Sequence, residues 1–138
     1  MRRHRKVTER DGTQHWWAYG GLHRENGPAI IFSTGHRHWY HRGKRHRVDG
    51  PAIIHADGST AWYLNGKTHR EDGPAIVNSD GTKQWWLKGK RHREDGPAVI
   101  TADGTEHWWL NGSELAENEH WAIKFKKQIE EAVINEAY

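Results

Sequence analysis

The chain has 138 residues, no cysteine, nine tryptophans and a formal net charge of +3. That length supports a core without disulfide staples, and the lack of cysteine excludes thiol chemistry and every Cys-based zinc site. No stretch approaches the roughly 18 apolar residues of a membrane-spanning helix.

The opening MRRHRKVTER is basic like the start of a signal peptide, but no apolar run follows it, so a soluble, cytoplasmic protein is expected. Charge is unevenly spread. Residues 1–112 hold 18 Lys/Arg against 12 Asp/Glu, and residues 113–138 hold 3 against 6, so the body is +6 and the tail −3. Scarce Leu, Ile, Val and Phe would point to disorder. The tryptophans and tyrosines argue for an ordered, aromatic core instead.

After residues 1–10 comes DGTQHWW, Asp11 to Trp17. It recurs every 23 residues as TGHRHWY from Thr34, DGSTAWY from Asp57, DGTKQWW from Asp80 and DGTEHWW from Asp103. Between these lie four near-copies of His-Arg-Glu-Asp-Gly-Pro-Ala, at His23 to Ala29, His46 to Ala52, His69 to Ala75 and His92 to Ala98. A fixed period of this size marks a repeat architecture.

Each unit holds two short runs. Ala98 to Ile100 is rich in β-branched residues, Thr105 to Leu110 is aromatic, and Asp103-Gly104 joins them as a tight-turn pair. Asn65-Gly66, Lys88-Gly89 and Asn111-Gly112 end the second run. Pro28, Pro51, Pro74 and Pro97 sit at strand entrances, where a missing N–H does least harm. Each unit is thus predicted to be a two-stranded hairpin. Hairpins that are marginal alone become stable when joined into one sheet. The expected fold is mainly β: an elongated single-layer antiparallel sheet of five stacked hairpins over residues 1–112.

Residues 113–138 are expected to form a C-terminal amphipathic helix within the same folding unit. Trp121, Phe125, Ile129 and Val133 fall on one helical stripe flanked by Ala122 and Ala132, and Glu117 and Glu119 stand near its start. The helix is expected to cap an open sheet edge. Docking or homodimerisation through the helix or a sheet edge is the alternative.

Tyr-Leu-Asn-Gly-Lys ending at Lys67 and Trp-Leu-Lys-Gly-Lys ending at Lys90, with a following His (His69, His92) and a closing Asp-Gly (Asp80, Asp103), resemble the MORN repeat across nearly all of residues 5–112. Trp-Trp stands where that repeat has Tyr-x-Gly-x-Trp, and HisArgGluAspGlyProAla where it has His-Gly-x-Gly. The pattern is similar to a variant MORN-like repeat of small bacterial and phage proteins. The resemblance implies a twisted sheet used for binding rather than catalysis, such as a phage-encoded inhibitor that blocks a host defence or nucleic-acid-handling protein.

Strand alternation divides the aromatic pairs between two faces. Trp16, Trp39, Trp62, Trp85 and Trp108 are expected to form the core face with Leu64, Leu87 and Leu110. Trp17, Tyr40, Tyr63, Trp86 and Trp109 share the other face with His15, His38, Gln84 and His107. That second row is either buried by curling of the sheet or a ring platform for a partner protein or stacked bases.

The second repeat departs most from the pattern. It carries Arg37, Arg42, Lys44, Arg45 and Arg47 around Tyr40, and Val48 replaces the Glu found at Glu25, Glu71 and Glu94. Arg2, Arg3, Arg5 and Lys6 would extend this basic patch. It reads either as a binding site, for protein first and nucleic acid second, or as a solvated charged face. Attachment to anionic membranes is disfavoured because the tail carries more Glu than Lys.

The ladder of His23, His46, His69 and His92 does not build a zinc site, since equivalent atoms one repeat apart lie about 9–10 Å from each other. His36 and His38 could share a metal, but no third ligand is specified beyond His41. No metal or cofactor is expected, and the ladder histidines should hydrogen-bond the turns. Arg24, Arg70 and Arg93 are expected to form ion pairs between neighbouring turns. No phosphate loop or nucleophile elbow is present, and a motif repeated four times reads as a stacking rule rather than a catalytic centre. An enzyme is not expected.

Overall fold

The computed structural model describes residues 3–137; Arg2 of the basic arm lies outside them. Among the described residues, twelve strands form one open antiparallel sheet, followed by a single helix, Glu117–Ala137. The sheet runs from an edge strand, Arg5–Thr8, to a last strand, Ser113–Leu115, and neighbours in space follow chain order. The Asp-Gly pairs turn its main hairpins. At Gly58, φ is +90°, and the Asp57 carboxylate accepts the Ser59 N–H at 2.9 Å, a local bond that closes the turn.

Each interior unit also contains a second, smaller hairpin. Tyr40–His41 pairs Lys44–Arg45, Tyr63–Leu64 pairs Lys67–Thr68, and Trp86–Leu87 pairs Lys90–Arg91. Asn65 and Gly66 both have positive φ, 48° and 82°, the backbone that a two-residue hairpin turn demands. The aromatic strand therefore ends at Asn-Gly, as expected from sequence, but the chain then folds back into a short strand that was not expected. Trp62 is the switch point: its N–H bonds Ala75 in the main sheet and its carbonyl accepts the His69 N–H in the side hairpin.

One face carries the register His15, Ile30, His38, Ile53, Ala61, Ile76, Gln84, Val99 and His107, each opposite the next. Ile30, Ile53, Ala61 and Val99 are buried within it. On the other face tryptophan and alanine alternate: Trp16, Trp39, Trp62 and Trp85 donate their backbone N–H to Ala29, Ala52, Ala75 and Ala98. These four alanines are fully enclosed, whereas the four tryptophans are only half-buried. The expected aromatic core is corrected accordingly. A single-layer sheet offers its tryptophans only their own loops as cover, and the small residue between two indoles is what disappears from water.

Trp108 is the exception, buried under the helix, where its ring meets His120 at 4.9 Å and Trp121 at 5.4 Å between centroids. Fully buried His120 donates from Nε2 to the Arg93 carbonyl at 2.7 Å, and Lys124 reaches Asp95 at 2.6 Å. The helix therefore caps the last hairpin, but with its His120–Lys124 side. Phe125, Ile129 and Val133 are 55 %, 64 % and 60 % exposed, so most of the stripe predicted to cap the sheet points to solvent.

Candidate binding surface

The four His-Arg loops rise from the tryptophan face as ridges. In each, an arginine lies over the indole of its own repeat: Arg24 over Trp16, Arg47 over Trp39, Arg70 over Trp62 and Arg93 over Trp85, at 4.0, 4.1, 4.0 and 3.9 Å from ring centroids. Each guanidinium also donates to the proline carbonyl of its loop, Pro28, Pro51, Pro74 or Pro97, at 3.1–3.2 Å. Its far side presses on the loop glycine. A Cβ built on Gly50 would lie 2.7 Å from the Arg47 guanidinium carbon, and one on Gly73 3.1 Å from that of Arg70. The expected ion pairs between neighbouring turns are thus corrected. These arginines clamp their own loops, with Asp49 and Asp72 of the same loop as partners for Arg47 and Arg70.

Histidine supplies the bond between repeats. Nδ1 of His23, His46, His69 and His92 accepts the backbone N–H of Arg42, Asn65, Lys88 and Asn111, at 2.9–3.0 Å. Nδ1 must then be unprotonated, leaving the proton on Nε2, which faces Glu25 at 2.7 Å, Glu71 at 3.5 Å and Glu94 at 3.7 Å. Val48 leaves His46 without that acid. There, burial and then the neighbouring His41 push the His46 pKa down.

Between the ridges run three grooves. One of about 840 Å³ lies between Arg24–Gly27 and Arg47–Asp49, over Trp39. A second of about 470 Å³ lies over Trp62 and Leu64. A third of about 660 Å³ lies over Trp85 and Leu87, walled by Glu71, Asp72, Glu94 and Asp95. Val48 lines both of the first two and is 75 % exposed.

The ring row of the opposite face is partly occupied by the sheet itself. His15 stacks on Trp17 and His38 on Tyr40, while Gln84 accepts the Trp86 indole N–H at 3.0 Å. Arg45 lies 5.6 Å from the Tyr63 centroid, and Arg91 stands 5.2 Å from Trp86 and 5.1 Å from Trp109.

The basic second repeat is not gathered into one patch. Arg47 is a tryptophan clamp, Arg45 pairs Tyr40 across the side hairpin, and Arg42 covers Tyr19 at 4.3 Å. Arg37 is exposed and, two residues from Trp39, belongs to the tryptophan face. Exposed Lys44 instead belongs to a row that sequence reasoning missed. The Cβ of Lys44, Lys67 and Lys90 lies 3.7–3.9 Å from the Cβ position of Gly66, Gly89 and Gly112, so the side-hairpin turns stack and carry three lysines one repeat apart. Their 23-residue spacing was the available signal.

Among the described residues, His23, Glu25 and His41 approach closely enough to hold a metal ion. The chemistry opposes it, because the Arg42 N–H at Nδ1 keeps the His23 proton on Nε2, the atom that would have to ligate. No protein-family model matches the chain, and no curated protein matches it either.

Proposed function

We propose that this chain is a non-catalytic interaction protein that grips an extended segment of a partner protein in the grooves of its tryptophan face. The observation that carries this reading is Val48. It is an exposed apolar side chain on the wall shared by two tryptophan-floored grooves, where the other repeats place Glu25, Glu71 and Glu94. Stacking does not need it, since His46 keeps its bond to Asn65 without an acid. Mixed Arg, Glu and Asp walls suit a polypeptide with both charges and repel a polyanion. A partner covered in this way is blocked, the mode of action of an inhibitor such as the MORN-like resemblance implies.

The test is selection of peptides from a displayed library, followed by mapping through the indole N–H resonances. Selected peptides should shift Trp39 and Trp62, and Val48→Glu should weaken them at least about tenfold while leaving the fold intact. Failure to select any peptide, or peptides insensitive to Val48→Glu, would overturn the reading.

The second reading is nucleic-acid binding in the cytoplasm. The observation that favours it is the row Lys44, Lys67 and Lys90 on the stacked turns. It is the weaker reading because the rings needed for base stacking already carry histidine, glutamine or arginine partners.

A further inference from the structure

The helix Glu117–Ala137 docks through polar contacts and the Trp108–Trp121 ring pair, and turns the rest of its apolar stripe away from the sheet. His120, Lys124 and Lys127 meet Arg93, Asp95 and Glu94, while Phe125, Ile129 and Val133, at i, i+4 and i+8, stand exposed. An amphipathic helix left this way round needs something to cover the stripe.

The flanking charges say what. Lys124, Lys126 and Lys127 fill the middle of the helix, and Glu130, Glu131 and Glu136 fill its C-terminal half. Two such helices running antiparallel about Ile129 would set each Phe125 against the other copy's Val133. The same pairing brings the lysine section of each beside the glutamate section of the other. The pattern is self-complementary, as a two-fold interface requires. A lipid surface fits less well, because the helix carries five Glu against three Lys.

We propose that the exposed stripe is the seam of a homodimer, formed by antiparallel pairing of the C-terminal helices of two copies of this chain. One helix per copy gives an interface at the small end of the specific range, so micromolar association is expected.

Sedimentation equilibrium of the full chain should show a mass rising with concentration toward twice 16.1 kDa. Ile129→Glu should weaken self-association at least about 100-fold, as expected for a charge forced into the centre of an apolar seam. At concentrations too low for the dimer its thermal melt should match the parent's, because Ile129 is exposed in the single copy. A charge-swap pair separates this proposal from a parallel helix pair or a foreign partner. Lys126→Glu with Lys127→Glu, and separately Glu130→Lys with Glu131→Lys, should each weaken the homodimer, and an equimolar mixture should restore a heterodimer. A chain that stays monomeric at hundreds of micromolar, a mixture that fails to associate, or a stripe that binds neutral lipid vesicles but not itself would overturn it.

Discussion

Nδ1 of His69 accepts the backbone N–H of Lys88 at 2.9 Å, a bond that joins one repeat's loop to the next repeat's turn. Three further histidines make the same bond, so the sheet is stitched along one side by imidazoles as well as by its strand ladder.

Replacing His69 with alanine should therefore cost about 1–2 kcal/mol, the scale of a lost hydrogen bond with its partner left unpaired. Denaturant unfolding followed by tryptophan fluorescence measures it. A variant as stable as the parent would mean that the bond contributes nothing net.

Stability should also fall in mild acid through histidine. Burial first, then Arg45, His55 and His36, lower the His38 pKa from 6.5 to about 4, and His46 is lowered as well. Between those values the unfolded chain binds the proton and the folded chain does not. This contribution is present above about pH 6.5 and is lost as pH drops toward about 4. Urea midpoints across that window report it, and His38→Gln, which copies Gln84 of a later repeat, should flatten the curve. A second loss belongs lower, below the ordinary aspartate range, because bonds from Thr101 and Thr105 hold Asp103 at about 2.

The Arg–Trp–Gly sandwich predicts a non-additive pair. Gly73→Ala crowds the Arg70 guanidinium, already 3.1 Å from the new Cβ, and should cost about 1–3 kcal/mol. In an Arg70→Ala background the same change should cost under about 0.5 kcal/mol, since nothing is left to displace. Equal costs in both backgrounds would show that the glycine is there for another reason.

Changing Lys44, Lys67 and Lys90 together to glutamate should leave the fold untouched, because all three are exposed. Should the second reading hold, the salt slope of oligonucleotide binding would fall by about 2, near 0.7 for each lost phosphate contact. Fluorescence anisotropy over a salt series decides this. An unchanged slope removes the lysine row from consideration.

Much of the fold was legible because turn chemistry is local. Asp57-Gly58 and Asn65-Gly66 announce their turns within two residues, and the 23-residue step tells that the hairpins stack. The side hairpin was missed because Asn-Gly reads as a strand end whether the chain leaves or folds back. The clamping arginines were misassigned for a related reason. Beside Glu71 and Asp72, Arg70 looks like an ion-pair partner, and it does pair Asp72, but within its own loop, in a slot formed by the indole of Trp62, the Pro74 carbonyl and the bare Cα of Gly73.

The sequence by itself determined the repeat, its turns and the amphipathic helix at its end, since each depends on residues close together in the chain. Only the tertiary structure decided which way that helix faces. Its orientation comes from His120 and Lys124 bonding Arg93 and Asp95, 27 and 29 residues away. Full burial of His120, whose Nε2 bonds a backbone carbonyl, together with the edge-on contacts of His120 and Trp121 with Trp108 seats that side of the helix and leaves Ile129 in water. Periodicity shows that a stripe exists, but not which neighbour covers it.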